Sequence, residues 1–151
     1  MATCQASAND AGVPLVIDEK SADVLVHADA TRITQAIINL TTNAVKFTPS
    51  GGQVALSVAS RGDGAVAVSV RDTGRGMMAE DLKKVCEPFA QAHRDSAGGN
   101  KGGLGLGLAI VSGILDQIGG HLEIDSEIGV GTCATLVIPA ERVATKQRQA
   151  A

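Results

Sequence analysis

Three groups of residues in this sequence combine types and spacings that suit ligand chemistry. Asn39, Asn43 and Lys46 fall at i, i+4 and i+7 of a stretch with helical periodicity, which places them on one face of a helix. An amide oxygen is a hard ligand, so Asn43 is a candidate for Mg2+, an ion that keeps several waters and completes its shell with phosphate oxygens. Lys46 would add a point charge to the same phosphates. A plain solvated helix face reads the same way. Asp72 opens the run DTGRGM, Asp72 to Met77, at the end of an alternating apolar stretch. Its carboxylate can accept a hydrogen bond from an exocyclic amine, while Gly74 and Gly76 let backbone approach a flat ligand. An ordinary Asp-Gly turn is the bland alternative. In GGLGLGLAIV, Gly102 to Val111, the glycines Gly103, Gly105 and Gly107 alternate with leucines and lead into a helix. Exposed backbone N–H groups at the positive end of a helix can cradle phosphates with no net positive charge on the protein. A flexible hinge before a buried helix would look similar. The spacing matches neither G-x-G-x-x-G nor a Walker A motif, so the usual dinucleotide and P-loop readings fail.

The elements that must position these groups follow from periodicity. Val13 to Ile17 and Val24 to His27 read as short strands. From Asp29, placed as an N-cap, Ile33, Ile37, Leu40 and Ala44 recur on one helical face until about Phe47. Pro49, Ser50, Gly51 and Gly52 break the chain. Val54, Leu56 and Val58, then Val66, Val68 and Val70, alternate as two strands joined at the turn Arg61 to Gly64. Ala79 to Cys86 has short-helix composition, ended by Pro88. The polar, glycine-rich stretch from Phe89 to Gly103 lacks periodicity and is longer than an ordinary connection, which suits a functional lid. A helix over Gly107 to Ile118 and strands over His121 to Ser126 and Thr132 to Pro139 complete the pattern. Strands in hairpins with intervening helices imply an α+β fold: a two-layer α/β sandwich with a mixed, mostly antiparallel sheet and helices on one face.

Composition removes several function classes. The chain has 151 residues, 44% of them apolar, enough for one domain with a real core. Its formal net charge of −3 gives no drive toward nucleic acid or anionic membranes. The longest apolar run, Gly102 to Leu115, is too short and glycine-rich to span a bilayer, and the first ten residues lack a signal peptide's pattern. The expected location is therefore cytoplasmic, with no membrane contact by this domain. Cys4, Cys86 and Cys133 are odd in number and never in a C-x-x-C pair, so reduced thiols are expected.

Taken in order, NLTTNAVKFT (Asn39 to Thr48), DTGRGM (Asp72 to Met77), EPF (Glu87 to Phe89), GLGLGLAIV (Gly103 to Val111) and GVGTCATLVIP (Gly129 to Pro139) resemble the catalytic domain of two-component sensor histidine kinases. The blocks correspond to that family's N, G1, F and G2 boxes and its closing strand. The resemblance implies the ATP-binding Bergerat (GHKL) fold shared with DNA gyrase, heat-shock chaperones and mismatch-repair ATPases, with ATP and Mg2+ held between a helix and a lid. It implies that Asp72 bonds the adenine amino group, which discriminates against the guanine carbonyl. Gly74 and Gly76 would line the base, with Met77 ending the same nucleotide-binding box. Asn43 would hold Mg2+, with Asn39 and Lys46 beside it and Phe47 near the nucleotide ring. Phe89 would anchor the lid. Gly103, Gly105 and Gly107, with Leu104 and Leu106 contributing backbone, would hold the β- and γ-phosphates, and Thr132 would support the adenine pocket. Two positions depart from the pattern: Leu104 stands where the family usually has Ser or Thr, and Ala134 where it often has an aromatic residue.

The ATPase branches of the superfamily carry a water-activating Glu four residues before the metal-binding Asn, and here that residue is Asn39. An amide cannot take a proton from water at neutral pH, so hydrolysis should be slow and the γ-phosphate kept for another acceptor. This chain supplies no catalytic nucleophile or base, only the Lys46 charge at the phosphates. His27, His93 and His121 lack the context of the family's phosphoacceptor. The acceptor histidine is expected on a dimerisation domain outside this chain, in a homodimeric parent that can be soluble or membrane-bound, with a response regulator downstream. The expected organisation is a linker remnant over 1–12, the ATP-binding domain over 13–139 with its lid at about 89–103, and a polar tail over 140–151. The alternatives are a nucleotide-binding regulatory module without phosphoryl transfer, for which Leu104 speaks, and an anti-sigma-type serine kinase of the same fold.

Overall fold

The computed structural model describes residues 2–18, 23–87 and 106–144. The helix α1 (Ala2–Asp10) precedes the strands β1 (Leu15–Ile17) and β2 (Leu25–Val26), and the long helix α2 (Ala30–Phe47) follows them. Asp29 caps α2 as its position suggests, its Oδ1 accepting the Thr31 and Arg32 N–H groups at 2.8 and 3.2 Å. The helix stops at Thr48, whose Oγ1 donates back to the Ala44 carbonyl at 2.6 Å before Pro49 prevents continuation. The strands β3 (Val54–Ser60) and β4 (Val66–Asp72) form a full antiparallel hairpin. Asp63 accepts the Ala65 N–H in its turn, and Gly64 takes the left-handed φ of +85° that the turn requires. The short helix α3 (Ala79–Leu82), the helix α4 (Gly107–Asp116) and the hairpin of β5 (His121–Glu127) and β6 (Gly131–Ile138) follow, and β7 (Val143–Ala144) ends the described chain.

The main sheet runs β1-β3-β4-β6-β5, with β1 parallel to β3 and every other pair antiparallel. This is the mixed, mostly antiparallel α+β sandwich expected. Because side chains alternate along a strand, Val54, Leu56, Val68, Val70, Leu136 and Ile138 project from one face. They form a single core with Leu40, Ala44 and Val45 of α2 and Val111, Ile114 and Leu115 of α4. Leu115 and Leu136 are fully buried, each contributing about 2 kcal/mol by area removed from water.

Three expectations need correction. Residues 1–12 are not simply a linker: Ala2–Asp10 is helical, and Cys4 and Ala8, one turn apart, enter the core beside Val13. Small residues at this spacing bury little area, and such a stripe gives little periodic signal. The tail beyond Pro139 is not wholly outside the fold, since β7 pairs antiparallel with β2. The helix expected over Ala79–Cys86 is α-helical only to Leu82 and continues as turns, Leu82 and Val85 being only half-buried and offering no face to fix a longer helix. The expected lid at 89–103 lies outside the described residues. Among those that are described, no helix is long and apolar enough to cross a membrane, and Cys4, Cys86 and Cys133 are free thiols.

Candidate nucleotide site

The last rung of the sheet's helix-covered face turns polar beyond β3. In register across the strands stand Val54 of β3, Asp72 of β4, Thr132 of β6 and Ser126 of β5. The neighbouring rung, Leu56, Val70, Ala134 and Ile124, is apolar, so the polar groups sit where the core gives way to an opening. Asp72 is only 8% exposed. Its Oδ1 accepts two backbone N–H bonds, from Gly74 at 2.8 Å and Thr132 at 3.2 Å. Among the described residues nothing pairs with Oδ2. Burial pushes the Asp72 carboxyl above its ordinary pKa, and the two backbone bonds pull the other way. The outcome is a carboxyl fixed in place by one oxygen and presenting the other.

The turn after Asp72 is pressed between two neighbours. A Cβ on Gly74 would stand 2.5 Å from the Phe47 carbonyl oxygen at the end of α2, and one on Gly76, at φ +71°, would stand 2.0 Å from the Glu127 carbonyl oxygen. Both glycines are required by backbone packing, a stronger reason than a tight turn alone. The β5–β6 turn closes over this segment. Gly129 N–H donates to the Arg75 carbonyl at 2.9 Å, Met77 N–H donates to Ser126 Oγ at 2.8 Å, and Gly131 leaves no room for a Cβ beside the Asp72 carbonyl. Ser126 and Gly131 therefore belong to the site, although neither stands out by type and spacing. Ser126 is found only through strand register, and Gly131 through the contact that register imposes.

The opposite wall comes from α2 and α4. Asn39 and Asn43 are half-buried on α2, and Asn39 Nδ2 is enclosed without a hydrogen-bond partner among the described residues. A Cβ on Gly107, the first residue of α4, would lie 3.4 Å from Asn43 Nδ2 and 3.8 Å from its Oδ1, so the Asn43 amide faces the start of that helix. Among the described residues no side chain caps this helix start, at Leu106, and its first N–H groups are available to a ligand or water. Lys46 lies with its ammonium 5.3 Å from the centre of the Phe47 ring, and the Arg75 guanidinium lies 5.2 Å from the same ring. Phe47, 41% exposed, is thus held at the rim by two cations. The structure brings together Asn39, Asn43, Lys46, Phe47, Asp72, Gly74, Gly76, Met77, Leu106, Gly107 and Thr132. Phe89, Gly103, Leu104 and Gly105 lie outside the described residues.

The donor set also limits what metal this protein could hold. Among the described residues no cluster of three or more His, Cys, Asp or Glu exists. The described residues near the start of α4 offer the amide oxygens of Asn39 and Asn43, hard ligands of the kind that suit an ion such as Mg2+ arriving with phosphate oxygens and water.

The sequence and the fold match those of known proteins. Residues 28–142 match the family described as "Histidine kinase-, DNA gyrase B-, and HSP90-like ATPase". The histidine protein kinase DivJ of Caulobacter vibrioides is 36% identical over 92% of this chain, which spans 23% of that protein. A crystal structure of full-length ShkA in complex with AMPPNP superposes with a TM-score of 0.78 at 31% identity, over 91% of this chain and 28% of that one. The catalytic domain of histidine kinase ThkA in a nucleotide-free form superposes with a TM-score of 0.75 at 26% identity, over 92% of this chain and 88% of that one.

Proposed function

The chain belongs to the histidine kinase-, DNA gyrase B- and HSP90-like ATPase family, as an ATP-binding catalytic domain of the sensor histidine kinase type, and on that premise we propose that it binds Mg-ATP and presents the γ-phosphate to a histidine on a separate dimerisation domain. The observation that carries the proposal is the free oxygen of Asp72. A buried carboxylate whose Oδ1 is saturated by Gly74 and Thr132 N–H groups can turn Oδ2 only toward a donor, and the adenine amino group is one. Guanine would place a carbonyl oxygen there. Gly74 and Gly76, fitted against the Phe47 and Glu127 carbonyls, set the course of the turn beside the base, and Thr132 closes that end.

At the phosphate end, Asn43 supplies the amide oxygen for Mg2+, the start of α4 from Leu106 and Gly107 supplies N–H donors, and Lys46 supplies charge. When bound, the ion neutralises the phosphates and fixes their geometry. The residues of this chain bind, orient and neutralise. Asn39, with its buried amide nitrogen unsatisfied, can donate to a ligand or its water but cannot act as a base. That supports retention of the γ-phosphate for a protein acceptor, a histidine kinase in a homodimeric parent passing phosphate to a response regulator. The domain would work where ATP is supplied, in the cytoplasm.

The experiment is incubation with γ-labelled ATP, first alone and then with the dimerisation domain of the parent protein supplied in trans. Alone, the chain should stay unlabelled and hydrolyse ATP slowly; with the partner, acid-labile phosphate should appear on the partner's histidine. Rapid hydrolysis by the isolated chain would contradict the role given to Asn39.

A further inference from the structure

We propose that Ser126 is a specificity-determining residue of the nucleotide site, acting by fixing the direction of the Thr132 hydroxyl and the position of the turn behind Asp72. The inference deepens the nucleotide reading above and rests on it.

Ser126 is two strands from Asp72, on the same rung and the same face of the sheet. Its Oγ has three neighbours: the Met77 N–H at 2.8 Å, the Gly131 carbonyl oxygen at 3.1 Å and Thr132 Oγ1 at 2.8 Å. A hydroxyl has one hydrogen and two lone pairs. The Met77 N–H can only donate and the Gly131 carbonyl can only accept. All three contacts are satisfied together in one arrangement: Ser126 donates to Gly131 and accepts from both Met77 and Thr132. The Thr132 hydrogen is then committed to Ser126, and Thr132 Oγ1 has only lone pairs to offer elsewhere.

This polarity matters because Thr132 is the rung neighbour of Asp72 and its own N–H holds Asp72 Oδ1. With Ser126 in place, carboxylate and hydroxyl both present acceptors. An exocyclic amino group can donate to either oxygen, and an exocyclic carbonyl in the same place meets oxygen on both. Without Ser126, the Thr132 hydroxyl is free to rotate its hydrogen outward and donate to a carbonyl. Ser126 also ties Met77, at the end of the DTGRGM turn, to the Gly131–Thr132 backbone, so one side chain holds two sides of the base site.

The test is titration calorimetry of the chain with ATP and with GTP for the unaltered protein, Ser126→Ala and Ser126→Thr, with urea denaturation as the check of folding. Ser126→Ala should weaken ATP binding about tenfold and weaken GTP binding far less, shrinking the ATP-over-GTP preference. Ser126→Thr, which keeps the hydroxyl and suits a strand, should restore both. If Ser126→Ala does not fold, Ser126→Cys, with similar volume and weaker hydrogen bonds, should shift the preference in the same direction by less. An unchanged ATP-over-GTP ratio in the folded variants would overturn the inference and leave Ser126 a purely structural residue. Failure of the unaltered chain to bind ATP would instead remove the nucleotide reading, and this inference with it.

Discussion

The two ends of the candidate site are built in opposite ways. At the base end, protein groups satisfy one another apart from the Asp72 Oδ2 left to the ligand: Asp72 Oδ1 holds two N–H groups, Ser126 joins three partners, and Gly74, Gly76 and Gly131 are fitted against neighbouring carbonyls with no room for a methyl group. At the phosphate end, polar groups are left open. Among the described residues Asn39 Nδ2 is buried without a partner, and none caps the start of α4 with a side chain. A preorganised end loses little entropy when a rigid base enters, and this favours selectivity. On the proposed reading, an incomplete end would gain its missing hydrogen bonds only when ligand and ion arrive, and occupancy there should be sensitive to the metal.

That contrast can be broken most directly at Asp72. Asp72→Asn keeps an oxygen for the Gly74 and Thr132 N–H groups but turns an NH2 toward the ligand, where it opposes the adenine amino group. ATP affinity should fall about 100-fold by calorimetry while the fold persists. The same variant should raise the stability of the ligand-free chain at pH 7. The Asp72 carboxyl titrates above its ordinary value, so the native state binds more protons than the unfolded one, and the charged form lowers stability as pH rises through the folded pKa. Urea denaturation should show the variant's advantage at pH 7 and its loss near pH 4. An equal advantage at both would show that the carboxyl charge is not what the fold tolerates for function.

The phosphate end yields the next effect. Asn43→Ala should cost about tenfold in ATP affinity measured with Mg2+ and little without it, so the two titrations should converge. A variant that still responds normally to Mg2+ would place the ion elsewhere.

The smallest effect belongs to a feature outside the site. On the sheet face away from the helices, Arg61 makes two bonds to Glu123, at 2.9 and 2.5 Å, and His121 adds a third at 3.0 Å. Arg61 above all, with help from His121, holds the Glu123 carboxyl down to about 2. A lowered carboxyl pKa contributes stability above the ordinary carboxylate range, and that stability is lost as pH falls from about 4.5 toward 2. Both side chains are a third or more exposed, so solvent screens the pair. Glu123→Gln should lower Tm at neutral pH by about 1–2 °C, flatten the acid dependence, and leave ATP affinity unchanged.

The same contrast explains what was legible in the sequence. Asp29, Asn43, Asp72 and the glycines of DTGRGM declare themselves because their chemistry depends on type and local spacing, and the long helix and both hairpins follow from clean periodicity. Ser126 and Gly131 do not, because their roles arise from register between strands distant in sequence, which local pattern does not fix. The α1 helix escapes notice because Cys4 and Ala8 bury too little to mark a face. Pairing of β7 with β2 escapes because two-residue strands carry no alternation to read.

The measurement that tests the central claim most directly is calorimetric titration of the unaltered chain with ATP, with and without Mg2+, and with GTP as control. Saturable binding of ATP, tightened by Mg2+ and far weaker for GTP, is the predicted result. No saturation at millimolar nucleotide, or equal binding of GTP, would contradict it.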